Sequence, residues 1–139
     1  MSRLVPMFLL VTVLAVTAIW FSSRPSMQVD GGGQGAMVDV TVPELTATAE
    51  MGQQVFNENC AVCHGVNAAG NEGAGPPLVH IIYEPNHHGD AAFYIAARNG
   101  VRAHHWRFGD MAPVPGVTEA DVTAIIAYVR ELQRANGIR

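Results

Sequence analysis

The sequence predicts an all-α fold, three or so helices joined by long loops and preceded by an N-terminal apolar helix. Three observations predict it. One uncharged apolar run opens the chain, and three later segments repeat apolar residues at helical spacing between capping and stop residues. Strict alternation never exceeds the five residues of VDVTV, Val38 to Val42, which is weak support for a strand.

The opening run, LVPMFLLVTVLAVTAIWF from Leu4 to Phe21, carries no charge and follows Arg3. It reaches the ~18 residues at which a bilayer span becomes possible, with Trp20 placed where indole rings favour the interface. The nearest cleavage site, Val16-Thr17-Ala18, precedes bulky Ile19, Trp20 and Phe21, so the segment reads as an uncleaved anchor rather than a removed signal. Residues 1–21 are thus expected to be a signal anchor or transmembrane helix, with the rest of the chain exported. Residues 22–46 follow with a Gly31-Gly32-Gly33 run and no helical period, which reads as a flexible linker. Such a linker has a root-mean-square span of about 25–30 Å.

Residues 47–139 form the remaining domain. Within it, Thr48 is placed to cap a first helix whose Gly52, Val55, Phe56 and Asn59 share one face. Asp90 is placed to cap a second, DAAFYIAARN, which stops at Gly100. The third is the clearest: Thr118 and Asp121 resemble a capping box, and Val122, Ile125, Ile126, Val129 and Leu132 form an apolar stripe edged by Tyr128. Gly137 closes it. The loops between these helices are long and rich in turn residues, which argues against a compact protein unless something organises them.

Charge and cysteines narrow the chemistry. The domain carries nine acidic residues against six arginines and the whole chain has a formal charge of -4, which excludes nucleic-acid binding by charge. The only cysteines, Cys60 and Cys63, stand in CAVCHG with His64 directly after the second. A disulfide is compatible with export; a thioredoxin-type pair belongs beside a βαβ pattern that is absent; zinc needs a fourth ligand and usually a second cysteine pair. Covalent haem attachment accounts for all three residues in their order: two thiols reach the two vinyl groups and the next side chain points at the iron.

On these residues the chain resembles a small bacterial class I c-type cytochrome, mono-haem and His/Met-ligated, over Ala47 to Ile138. The resemblance implies one covalent haem c as the organiser of the loops and as core that short helices cannot supply, so the apoprotein is expected to be largely unfolded or molten. It also implies a close crossing of the first and last helices, with Gly52, Phe56, Ile125 and Tyr128 matching the contact pattern. A missing side chain at Gly52 lets the backbones approach.

Attachment through Cys60 and Cys63 makes His64 the expected proximal iron ligand. Its second ring nitrogen needs an acceptor. By the resemblance, Gly75-Pro76-Pro77-Leu78 supplies it through the Pro76 carbonyl, with Leu78 packing in the haem pocket. Met111, in GDMAPVPG just before the last helix, sits where the family places its sulfur ligand, with Pro113 and Pro115 stiffening the loop. The rival is a bis-histidine iron using His104 or His105.

Five histidines remain: His80, His87, His88, His104 and His105. One reading makes them loop residues bonded to backbone carbonyls or haem propionates, with Tyr83, Arg98, Arg102, Trp106 and Arg107 as further propionate partners. A second makes them a copper or zinc site, and a third a pH-sensitive docking patch.

The function the resemblance implies is that of a membrane-tethered cytochrome, no enzyme, facing the periplasm from the cytoplasmic membrane. It carries single electrons between respiratory or periplasmic redox partner proteins, with no small-molecule substrate. The alternatives are a haem sensor or peroxidase-like protein with a displaceable Met111, and a copper-associated redox module built on the extra histidines.

Overall fold

A computed structural model describes residues 35–139. The apolar anchor and the Gly31-Gly32-Gly33 run lie outside the described residues. Among the described residues, no helix is long and apolar enough to cross a membrane.

The described chain is helical, without strands. Its elements are α1 (Ala47–Asn59), the single turn α2 (Ala61–His64), α3 (Asp90–Asn99) and α4 (Glu119–Ala135), with 3-10 turns at Val66–Ala68 and Ile81–Tyr83. The frame is the crossing of α1 on α4. Gly52 lies so close to α4 that an added Cβ would stand 1.9 Å from the Ala124 carbonyl oxygen, so only glycine fits. One turn along, Phe56 and Tyr128, both fully buried, meet edge to face at 5.6 Å. The expected seam of Gly52, Phe56, Ile125 and Tyr128 is the one observed.

The caps divide into one expected and two corrected. Thr118 and Asp121 form the full capping box of α4, and Gly137 follows its end at φ 80°. Helix α1, however, is capped by Thr46, not Thr48: Thr46 accepts from the Ala49 N–H at 3.3 Å. The cause lies far along the chain, because the Glu131 carboxylate on α4 takes both the Thr46 N–H and its hydroxyl, at 3.1 and 2.7 Å. Asp90 is the first residue of α3 rather than its cap. Its carboxylate is occupied by Arg130 Nε at 2.9 Å.

The second half of the expected linker also belongs to the folded body. The N–H groups of Met37 and Val38 both donate to the Ala69 carbonyl, Val40 is buried, and Thr41 exchanges two 2.9 Å hydrogen bonds with the Asn136 side chain. VDVTV therefore does not pair as a strand. Val38 bonds a loop carbonyl, and the Thr41 backbone is met by a side chain.

Buried on α4 is a polar knot that ties the loops to the frame. Arg130 and Gln133 are almost wholly enclosed. Arg130 donates to the carbonyls of Tyr83 and His88 and to Gln133 Oε1, at 2.8, 2.6 and 2.6 Å. Gln133 donates to the carbonyls of Leu78 and Tyr83, at 2.8 and 3.0 Å. Unpaired carbonyls here would each cost roughly 1–3 kcal/mol, so these two side chains are what allow the 78–88 segment to lie against the core.

Candidate haem site

The frame leaves a cavity of about 550 Å³ bounded by α1, α3, α4 and the two long loops. Its walls are predominantly apolar, with Phe56, Leu78, Phe93, Val122 and Ile125 among them. Cys60, His64, Pro76 and Met111 all face it.

Each of these is held by local structure. Turn α2 continues from α1 through Cys60, whose carbonyl accepts from the N–H groups of Cys63 and His64 at 3.1 and 2.9 Å. Burial, with Cys63 beside it, pushes the pKa of an unlinked Cys60 thiol up to about 11. His64 Nδ1 lies 2.9 Å from the Pro76 carbonyl oxygen. Since a carbonyl only accepts, Nδ1 carries the proton and Nε2 keeps its lone pair for a metal. Burial lowers the His64 pKa, with the Pro76 contact opposing, which favours that neutral, ligating form.

After α2 the chain turns sharply. Asn67 and Ala68 both adopt left-handed conformations, at φ 55° and 56°, and the buried Tyr128 hydroxyl donates to Asn67 Oδ1 at 3.2 Å. The Leu78 and Val79 N–H groups then close on the Ala68 carbonyl, at 2.9 and 3.3 Å, bringing the Pro76 segment back under His64. Across the cavity, Met111 is fixed by a reciprocal backbone pair with Val101, both bonds 2.9 Å, and the Val114 N–H donates to the Ala97 carbonyl at 2.8 Å. Gly100, at φ 72°, permits this closure because a Cβ there would collide with the Met111 carbonyl. The Met111 loop is thus set by a backbone ladder as well as by its prolines.

The cavity brings together Cys60, His64, Pro76, Leu78 and Met111, while Cys63 lies next to it on α2 and is exposed; of the residues offered as propionate partners, Tyr83, Arg102 and Trp106 line it and Arg98 and Arg107 do not. His88, His104 and His105 also reach its wall; His104 and His105 are exposed, each with one ring nitrogen turned to another partner, Nδ1 of His104 to the Arg102 carbonyl at 2.8 Å and Nε2 of His105 to His87 Nε2 at 3.2 Å. His80 takes no part, its Nδ1 accepting from the Ile82 N–H at 3.2 Å. Arg130, Gln133 and Asn67 were not anticipated. The available signal was an arginine four residues after Ile126, on the edge of an otherwise apolar stripe.

A macrocycle with carboxylate arms fits this cavity. Trp106 Nε1 is buried without a hydrogen-bond partner; the Tyr83 hydroxyl is nearby, but no bond of ordinary geometry joins them. A buried indole N–H without an acceptor is unusual and costly, and a propionate is the kind of group that satisfies it. Two thiols, an imidazole lone pair, an apolar envelope and one orphaned donor together define a small class I c-type cytochrome.

Comparison with known proteins agrees. The Cytochrome c family matches residues 49–133, and the chain belongs to that family, with covalently bound haem c as its cofactor. It is 37% identical over 94 residues to the cbb3-type cytochrome c oxidase subunit CcoP of Rhodobacter capsulatus, covering 64% of this chain and 30% of that protein. It is 35% identical over 102 residues to the cytochrome bc1 complex cytochrome c subunit of Mycobacterium tuberculosis, covering 72% of this chain and 32% of that one. A shorter match, 53% over 38 residues, joins it to CcoP of Azospirillum brasilense. The chain spans less than a third of the length of these relatives.

Proposed function

We propose that this cytochrome is a membrane-tethered, periplasmic carrier of single electrons, in which Cys60 and Cys63 would hold the haem and His64 and Met111 would ligate its iron. The observation that carries the reading is the His64 Nδ1 to Pro76 carbonyl contact at 2.9 Å, with Met111 lining the same cavity. The bound haem supplies a one-electron couple at its iron. The chain's own residues do the rest: Pro76 orients the imidazole, the apolar wall excludes water, and the Val101–Met111 ladder holds the methionine loop. A rigid, dry surround keeps reorganisation small when charge changes. The Leu4–Phe21 segment would keep the domain near membrane partners, raising their effective concentration. That the relatives are named as subunits of an oxidase and of a bc1 complex supports respiratory redox proteins as partners.

A redox titration of the haem-loaded protein tests this together with absorption spectra of Met111→Ala, His104→Ala and His105→Ala. The weak far-red band of thioether-ligated ferric haem is expected in the wild type and in both histidine variants, and lost in Met111→Ala. Its absence from the wild type, or its loss in a histidine variant, overturns the ligand set. A second reading, a sensor or peroxidase-like haem protein, draws on the approach of His104 and His105 to the cavity wall. It requires fast stoichiometric carbon monoxide binding to the reduced wild type; the carrier reading requires its absence.

A further inference from the structure

The histidines other than His64 do not scatter over the surface, and His88 and His105 border the haem cavity. His87 and His88, in the turn before α3, and His105, in the loop before Met111, each offer one ring nitrogen, and the three nitrogens lie within 4.8 Å of one another. The shortest contact is His87 Nε2 to His105 Nε2, at 3.2 Å.

That spacing is chemically specific. Zinc–imidazole bonds of about 2.0–2.1 Å in a tetrahedron place neighbouring ligand nitrogens roughly 3.3–3.4 Å apart. Two of the three nitrogens already stand close to ligand spacing, and the third lies within 4.8 Å of both. His88 is prepared for it: its Nδ1 donates to the Ile82 carbonyl at 2.6 Å, which fixes the proton there and leaves the Nε2 lone pair free.

The backbone under the cluster is equally fixed. Arg130 Nη2 donates to the His88 carbonyl at 2.6 Å, and the His87 and His88 N–H groups both donate to the Glu84 carbonyl, at 3.1 and 2.8 Å. On the opposite loop, the Ala103 N–H donates to Asp110 Oδ1 at 2.8 Å. His87 and His105 are exposed, so a cation has an open approach and room for water as a fourth ligand.

We propose that His87, His88 and His105 form a tris-imidazole site for a divalent zinc-type cation, with water completing the tetrahedron, separate from the haem iron. His104 lies beside it, ring centroid 4.3 Å from that of His105, but its Nδ1 is turned to the Arg102 carbonyl and it is not among the three converging ligands. It is therefore the internal control.

The haem-loaded full chain is stripped with a chelator, dialysed against zinc chloride and assayed for zinc and iron, then titrated with zinc chloride by calorimetry at neutral pH. One zinc per iron is expected, with affinity weakened by more than ~100-fold in His87→Ala and in His105→Ala and within about threefold of wild type in His104→Ala; even loss of outer-shell support costs about 10–100-fold. No zinc retained, or retention that survives His87→Ala combined with His105→Ala, overturns the site. Because variants in a pinned loop risk misfolding, a measurement on the wild type alone stands beside them. Copper(II), which outcompetes zinc at nitrogen sites, is expected to bind at one equivalent with imidazole nitrogen splitting in its electron paramagnetic resonance spectrum. Absence of that splitting overturns the proposal without reference to any variant.

Discussion

Replacing Gly52 with alanine tests the frame on which the haem site is built. The new Cβ would stand 1.9 Å from the Ala124 carbonyl oxygen and 2.9 Å from the Ile125 nitrogen. Ordinary carbon–oxygen contact begins near roughly 3.4 Å, so α1 and α4 must separate by about 1.5 Å at this point. Overpacking of this kind costs about 1–3 kcal/mol, and prising Phe56 from Tyr128 removes about 1 kcal/mol more. Alanine's better helix propensity returns about 1 kcal/mol. The net expectation is a loss of about 1–3 kcal/mol, or about 4–24 °C in Tm for a domain of this size. Thermal melting of the haem-loaded protein, followed by far-ultraviolet circular dichroism, measures it. Gly73→Ala is the comparison: its φ of +87° is strained for alanine, but nothing lies within 4 Å of the added Cβ, so its cost is limited to about 1–2 kcal/mol. A Tm for Gly52→Ala within about 4 °C of wild type would refute the close crossing, since that is less than the shift from 1 kcal/mol.

Arg130→Ala is expected to destabilise the protein by about 3 kcal/mol in urea unfolding, because the Tyr83 and His88 carbonyls lose a charged donor inside the core. Asp121 gives a pH signature. Hydrogen bonds from the Thr118 side chain and backbone lower its pKa below 3.8, so its contribution is present above that value and fades as pH falls through the lower, folded-state pKa. Melting wild type and Asp121→Asn across the acid range should show a stability gap near neutrality that closes under strong acid; a gap of constant size would contradict the capping role. Changing both Cys60 and Cys63 to alanine removes haem attachment, and circular dichroism is expected to show loss of cooperative unfolding, whereas a native-like transition would mean that the loops pack without the macrocycle.

The features legible in the sequence were those whose partners lie close along the chain. The CAVCHG motif, the Thr118–Asp121 box and the α4 stripe all declare themselves within a few residues. The Gly52 seam was legible by resemblance, because a glycine and an aromatic at the right spacing sit on helices that cross. What was misread depends on residues far away. Thr46 rather than Thr48 caps α1 because Glu131 holds it, and Asp90 fails to cap α3 because Arg130 claims its carboxylate. VDVTV looked like linker because its buried residue, Val40, and its backbone partner, Asn136, become apparent only once α4 is in place. In the site, the anchoring of Met111 by Val101 was hidden for the same reason. The histidines were visible as a surplus, but nothing local selects His87, His88 and His105 from the five.

The ladder of contacts along residues 35–46 has a mechanical meaning. The Gly35 carbonyl accepts from the Glu72 N–H at 2.8 Å, and Met37 and Val38 grip the Ala69 carbonyl before Thr41 and Thr46 are clasped by α4. Any pull arriving from the upstream chain therefore enters the domain at the turn just beyond His64, not at the start of α1. It must peel the contacts at Gly35, Met37 and Val38 before Thr46 feels the load. The loop that follows the haem-binding turn is the point through which this domain would be held.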